Sequence, residues 1–356
     1  MPITRIEVRY PRAQGEVRLR GSHAPLSWES SLEPVSRDGD LSVFEVDLPK
    51  GTLLEVKACR ADGLWASGRN ETVVAGDTLR LAPYFERAYG VLEAEWRTLK
   101  SMELRREVRY KVFLPPSYGE LPEKRYPVLY AQDGQSLFEV DPFDGHSWEL
   151  DDALNELWDL GAIEEVIVVA LETVEDRLGM LSPVPDPVHG GGQAPEYRDF
   201  LVTRLKPVID ARYRTLPGRG DTAILGSSMG GLFAFFCAWT APNVFGRAAC
   251  LSSSFWWADR WMVHEAEKGS CPFPRPVLYI DSGAAKSAFT EDANLRDGFH
   301  HTQALRQALV NHCYEPWQDL HVLTFAGLSH DNSSWAARIS VPLQILFPKK
   351  GLRAAG

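Results

Sequence analysis

Cysteine is scarce in this 356-residue chain: Cys59, Cys237, Cys250, Cys271 and Cys313 are far apart and form no CxxC pair. Five scattered thiols exclude a small disulfide-stapled scaffold and a thiol-based zinc site, and all five are expected to be reduced thiols of the core. Long apolar runs are missing too. VIVVAL at 166–171 is far too short to cross a bilayer, and the opening MPITRIEVRYPRAQGEV has no apolar leader core. No membrane partner is expected, and a cytoplasmic location follows by default. Positive charge is in deficit, with 38 Lys and Arg against 48 Asp and Glu and a net charge of -10. The basic residues are scattered, whereas a phosphate-neutralising surface clusters them, so nucleic acid is not an expected partner. There is no internal repeat and no low-complexity tract. What remains is a globular balance, 44% hydrophobic and 24% charged, sufficient for a large core.

Two styles of patterning divide the chain. Up to about residue 90, EVRLRGS, LSVFEVDLP and TLLEVKACRADGLWAS alternate apolar with polar at a period near two, between clusters of Gly, Pro, Asp and Ser. That is the pattern of short antiparallel strands and predicts a small β-sandwich. Two further strands are expected at Val108 to Leu114 and Tyr126 to Ala131. Beyond them, strands and helices alternate: a helical LDDALNELWDLG, then VIVVAL, then EYRDFLVTRLKPVIDARY as one helix, then TAILG and a helix from about Gly230. RAACLSS, PVLYIDSG, TQALRQALVNH, LHVLTFAG and a last helix around WAARISVPLQILF complete the series. Short apolar strands interleaved with helices imply an α/β fold with a mostly parallel sheet covered on both faces. The expected domains are 1–92 and 93–356.

Gly226-Ser227-Ser228-Met229-Gly230 has the form G-x-S-x-G, after a predicted strand and before a predicted helix. There a sharp turn exposes the central serine at the carboxyl end of the sheet, and glycines on either side let strand and helix approach closely. Ser228 is therefore the candidate nucleophile and Ser227 the variable position beside it. The P-loop lysine is absent, so a phosphate cradle is not indicated. A serine hydroxyl needs a base held by a third group. In this arrangement the chain order is serine, acid, histidine, and His330 in FAGLSHDNSSW follows the last predicted strand, with His300 and His301 less suitably placed. After PVLYID, the carboxylates Asp281, Glu291, Asp292 and Asp297 all compete for the acid role.

Taken together, YPVLYAQDGQSLFE, YRDFLVTRLKPVIDARYRT, TAILGSSMGGLFAFF, VFGRAACLSSSFWW, YIDSG and SHDNSSWAARISVPLQILF resemble an esterase family of the α/β-hydrolase fold. This family includes the enterochelin (ferric siderophore) esterases, feruloyl and acetyl xylan esterases, and esterase D. The resemblance covers roughly residues 100 to 348 and implies a serine esterase with no metal or organic cofactor. It puts the nucleophile on Ser228 and the base on His330. RDGFHHTQALRQAL supplies Asp297, Gly298 and Thr302 in the family's arrangement, which favours Asp297 as the acid, with Asp292 in reserve and Glu291 the remaining rival. The oxyanion donors implied are the amide of Met229 and that of Gly134 or Gln135. Asp133 and Gln135 are expected to bond to substrate or to hold their loop. The family's arginine is kept as Arg177 in EDRLGMLSPVPDP, but the Glu-Tyr and Pro that follow it in many relatives are not. Trp148, Trp256, Trp257 and Trp335 are candidate pocket-lining residues, with Trp257 and Trp148 assigned to substrate binding. The N-terminal part resembles the early-set sandwich of enterochelin esterases and the starch-binding modules of some carbohydrate esterases, with Trp28 and Trp65 either stacking on sugars or packing in its core. The small-molecule substrate implied is a siderophore lactone or, as the alternative, an acetylated or feruloylated sugar. A glucan- or partner-binding protein on a degenerate hydrolase scaffold is the rival from another class.

Overall fold

The computed structural model describes residues 2–142, 144–173, 176–284 and 296–349, with Arg296 described by its backbone alone. The chain separates into two compact units. One contains the residues up to Val91 together with Pro115–Lys124 and Asn155–Ala162, and the other contains Leu92–Leu114, Arg125–Leu154 and the chain from Ile163 onward.

In the first unit the period-two segments form two sheets. Ser36–Asp38, Leu41–Asp47, Ile3–Arg9 and Thr78–Leu81 lie side by side in that order, and Val17–Gly21, Leu53–Arg60 and Glu71–Val74 make the second sheet. Alternate side chains, among them Ile6, Val8, Leu19, Phe44, Leu54 and Val56, are fully or almost fully buried in one shared cluster. This is what the pleat dictates once one face of each strand is apolar.

The second unit is built on a mixed sheet. Its strands are β1 (Arg97–Ser101), β2 (Arg106–Leu114), β3 (Val128–Ala131), β4 (Ile167–Leu171), β5 (Thr222–Ser227), β6 (Arg247–Leu251), β7 (Val277–Gly283) and β8 (Leu320–Phe325). They lie in the order β8-β7-β6-β5-β3-β4-β2, and β1 pairs with β2 off that path. β2 is antiparallel to both β1 and β4, while every pairing from β4 across to β8 is parallel. β3, β4 and β5 are buried along their whole length, which explains why they read as unbroken apolar runs rather than as alternating ones. In chain order the α-helices among the described residues are α1 (Leu150–Asp159), whose residues from Asn155 onward belong to the first unit, α2 (Arg177–Leu181), α3 (Ala194–Phe200), α4 (Lys206–Arg212), α5 (Met229–Thr240), α6 (Trp257–Glu267), α7 (Phe299–His312), α8 (Asn332–Ala336) and α9 (Ser340–Leu346).

Three readings of the sequence are corrected. The helix expected from Glu196 to Tyr213 is interrupted by a π-helical turn at Leu201–Leu205 between α3 and α4. Pro207 at the start of α4 can donate no backbone hydrogen bond, and a wider turn ahead of it relieves the clash of its ring with the preceding carbonyls. The last helix is likewise two, α8 and α9, with Pro342 in the first turn of the second. Finally, Cys271 and Cys313 are joined as a disulfide with their Cα atoms 6.2 Å apart, so only Cys59, Cys237 and Cys250 are buried free thiols. Sequence alone missed the pair because 42 positions separate the partners and nothing local links them. Disulfides of this kind persist in oxidising surroundings and are rare in the cytosol.

Candidate active site

The carboxyl ends of the parallel strands supply the site. β5 ends at Ser227, and Ser228 turns the chain with φ 55° and ψ -121°, a conformation costly for a residue with a side chain, before α5 begins at Met229. Close packing enforces the turn. A Cβ on Gly226 would stand 2.4 Å from the carbonyl of Gly230, and one on Gly231 would stand 2.2 Å from Ser253 Oγ. The backbone of Ser228 is held on both sides, its N–H donating to Leu251 O at 2.9 Å and its C=O accepting from Ser254 N at 3.0 Å. Its hydroxyl lies 3.3 Å from that of Ser254.

His330 comes from the turn after β8, and Asp297 from the turn before α7, where its φ is 50°. His330 Nδ1 lies 2.6 Å from Asp297 Oδ1, and the imidazole meets the ring of Trp335 edge-on at 5.2 Å. The Asp297 side chain is fully buried while that of His330 keeps 24% exposure, so the carboxylate is dry and the imidazole faces open space. The other oxygen, Oδ2, accepts from Ser252 Oγ at 2.5 Å and from the Gly283 amide. Asp281, the carboxylate nearest the end of the expected strand, is engaged elsewhere: it is fully buried, bonded to Arg338 and Tyr279, and burial pushes its pKa up. Glu291 and Asp292 lie outside the described residues.

Ser228, Met229, Gln135, Asp297 and His330 line one cavity of about 920 Å³. The loop after β3 approaches from the other side. Asp133 takes φ 56°, and Gly134–Ser136 forms a short 3-10 turn pressed so close to β4 that a Cβ on Gly134 would lie 2.8 Å from Ala170 C. The Met229 amide is in the first turn of α5, where helix geometry provides no intrahelical acceptor. Asp133 and Arg177 both line the cavity yet are turned on each other: Nε and Nη2 of Arg177 donate to the two carboxylate oxygens at 2.6 and 2.7 Å, and Thr173 Oγ1 donates to the same carboxylate. This bidentate pair ties the loop after β3 to α2, the loop-holding alternative for Asp133. Arg177 Nη2 also reaches Ser227 O at 3.3 Å.

The tryptophans separate into two roles. Trp256 and Trp335 line the cavity, whereas Trp148 and Trp257, read from sequence as substrate-binding, do not and are buried behind its wall. Each is held there by its indole N–H, Trp148 by Asn332 Oδ1 at 2.9 Å and Trp257 by Val184 O at 2.8 Å, because a buried indole must find an acceptor. His301 lines the cavity as well, its pKa lowered by burial and by Arg260 and His300. Ser252 and Arg338, which hold the neighbourhood of Asp297, were missed in the sequence; the serine run 252–254 directly after an apolar strand was the available signal. Among the described residues no group of three or more His, Cys, Asp or Glu could hold a metal ion, and no helix is long and apolar enough to cross a membrane.

A family model described as "Putative esterase" matches residues 101–341. The chain belongs to that esterase family. The match spans β2 to β8 and every residue named above as lining the cavity. Among curated relatives, this esterase-family chain is 33% identical over 108 residues to a siderophore enterobactin esterase of Emericella nidulans, covering 29% of the chain and 35% of the relative. It is 29% identical over 273 residues to an endo-1,4-beta-xylanase/feruloyl esterase of Xylanibacter ruminicola, covering 75% of the chain and 29% of the relative. The chain thus spans about a third of the length of these two proteins. Among solved structures, the enterobactin esterase FES from Shigella flexneri superposes with a TM-score of 0.55 at 13% identity, covering 96% of the chain and 92% of that protein, a likeness of fold.

Proposed function

We propose that the protein is a serine esterase in which Ser228, His330 and Asp297 act as nucleophile, base and acid. The observation that carries this reading is the 2.6 Å contact of His330 Nδ1 with the buried Asp297 carboxylate, which fixes the proton on Nδ1 and leaves Nε2 basic and facing the cavity of Ser228. Ser228 Oγ attacks the ester carbonyl carbon as its proton passes to Nε2. The tetrahedral oxyanion is received by the amides of Met229 and of Gln135 or Gly134. Collapse expels the alcohol, which takes the proton from His330. Water, deprotonated by the same imidazole, then attacks the acyl-enzyme and releases the acid and Ser228. Ser228 Oγ lies 3.3 Å from Ser254 Oγ, and in this reading it turns to His330 when substrate binds, as catalytic hydrogen bonds commonly tighten only in the loaded enzyme.

The substrate is a small-molecule carboxylic ester. A siderophore lactone is the first reading, supported by the siderophore esterase among the relatives and by the fold likeness along nearly the whole of FES. A sugar-linked acetyl or feruloyl ester is the second, supported by the feruloyl esterase relative. Residues 1–92 are read as a sandwich domain of the early-set type ahead of the hydrolase domain.

Purified protein and Ser228→Ala are compared on para-nitrophenyl acetate and butyrate, ferric enterobactin, and feruloylated and acetylated sugars. Serine-dependent turnover of one class identifies the substrate. No turnover combined with no fluorophosphonate labelling of Ser228 refutes the esterase reading and favours a binding protein.

A further inference from the structure

The environment of Asp297 contains a hydrogen-bond circuit with only one consistent direction. Ser252 Oγ receives Arg338 Nη2 at 2.6 Å and Trp335 Nε1 at 3.1 Å, and it contacts Asp297 Oδ2 at 2.5 Å. Guanidinium and indole N–H groups can only donate, and a hydroxyl has two lone pairs and one proton. With both lone pairs taken, the single proton of Ser252 must point at Asp297. Arg338 is held in turn by Asp281, its Nε and Nη2 reaching the two carboxylate oxygens at 3.1 Å each, and its Nη2 stands 3.8 Å from Asp297 Oδ2. Ser252, Asp281, Asp297 and Arg338 are all 2% exposed or less. Ser252 occupies this place at a backbone φ of 43°, where a residue with a side chain is strained and glycine would be relaxed.

We infer that Ser252 and Arg338 are positioning residues for the esterase reaction: they lock the carboxylate of Asp297 so that Oδ1 alone faces His330. The inference rests on the Ser228, His330 and Asp297 reading. One buried cation is shared between two buried carboxylates, and proton transfer to His330 in the transition state brings the four groups to net neutrality. Loss of the Ser252 hydroxyl leaves Oδ2 with the Gly283 amide as its one hydrogen bond, frees the carboxylate to rotate, and takes the acceptor of Trp335 Nε1 and one of the two acceptors of Arg338 Nη2, which keeps Asp281.

The strained backbone supplies the test. Ser252→Gly removes the hydroxyl and relieves the φ penalty at once, whereas Ser252→Ala removes the hydroxyl and keeps the penalty. Positioning through the hydroxyl predicts that both lose about ten- to a hundred-fold in kcat/KM, the worth of one charge-assisted hydrogen bond, with KM nearly unchanged. The acid limb of the pH profile moves to higher pH in both, because a less satisfied Asp297 stabilises the imidazolium more strongly. His301, Asp331 and Asp144, the other titratable groups of this part of the cavity, are unaltered in the variants. A purely structural role for Ser252 predicts instead that Ser252→Gly keeps wild-type kcat/KM and an unmoved acid limb while Ser252→Ala is less stable, and that result overturns the inference. Melting temperatures and the downfield imidazole proton resonance, recorded on the same samples, separate loss of fold from loss of alignment; an unmoved resonance in folded Ser252→Gly also overturns it. Failure of the underlying triad reading is recognised separately, by wild-type protein that shows no Ser228-dependent hydrolysis.

Discussion

Replacing Asp297 by Asn tests the acid assignment with nearly constant shape, and the structure dictates how the amide must sit. Oδ2 is met by two donors, the Ser252 hydroxyl and the Gly283 N–H. An NH2 group turned toward them would put donor against donor and forfeit two buried hydrogen bonds, at about 1 to 3 kcal/mol each. The amide oxygen therefore takes that position and the NH2 faces His330 Nδ1. Imidazole accommodates this by moving its proton to Nε2, the nitrogen that accepts the proton of Ser228 in the proposed mechanism. The wrong tautomer is then the ground state. The expected outcome is a fall in kcat of about 10⁴, equivalent to about 5 kcal/mol of transition-state stabilisation, with KM and melting temperature close to wild type. Steady-state kinetics on para-nitrophenyl butyrate, beside circular dichroism melts, measures it. Activity within tenfold of wild type in a folded Asp297→Asn protein would refute the reasoning and return the role to Asp292 or Glu291.

Four other outcomes are expected. Gly226→Ala forces a Cβ to 2.4 Å from the Gly230 backbone, which has no flexible end to yield, so thermal denaturation should show a loss of about 3 kcal/mol or more and fluorophosphonate labelling should vanish. Arg177→Met leaves the buried Asp133 with the Thr173 hydroxyl but without its cation and should cost about 3 kcal/mol in urea unfolding, with part recovered in the double variant with Asp133→Leu. Asp331→Ala removes the N-cap of α8, where the carboxylate accepts from Ser334 N at 2.7 Å, and should cost about 1 kcal/mol. Although burial opposes it, the hydrogen bonds from Ser334 and Ser333 hold the Asp331 pKa below its ordinary value. That contribution is complete above the unfolded carboxylate pKa and disappears as pH falls through the depressed folded one, so the stability difference should close in acid. Cys271→Ala should lower stability by up to about 4 kcal/mol, the chain-entropy value for a loop of this separation, and the wild type should lose the same amount on reduction.

Legibility followed locality. The turn around Ser228 lies within a few residues, and the steric reason for its glycines is visible in the sequence because strand, turn and helix are contiguous. The central strands β3, β4 and β5 were recognisable since full burial makes them apolar throughout, whereas β1, Arg97–Ser101, is half exposed and polar and was not expected. Asp297 and His330 meet across 33 positions only because β7 and β8 are neighbours, a fact of sheet order that spacing does not encode. Asp281 was an equal competitor until Arg338 was seen to occupy it. The tryptophans misled for a related reason: Trp256 and Trp257 are adjacent, yet one lines the cavity and the other is buried against Val184, a difference of side-chain direction that composition cannot express. The disulfide and the two interrupted helices depended on distant partners and on the local reach of Pro207 and Pro342.

Under the proposed esterase reading, the size of the cavity bears on which esters are good substrates, quite apart from the chemistry at its floor. At about 920 Å³, and at about 30 Å³ per molecule, the space accommodates on the order of thirty waters. An acetyl ester displaces few of them and leaves the oxyanion region in contact with a connected pool of liquid, which screens the developing charge and weakens what the amide donors contribute. A substrate with large acyl or alcohol portions empties the cavity, drops the local dielectric around His330, and converts its remote binding into rate. Small chromogenic esters thus report whether the machinery works and understate how well.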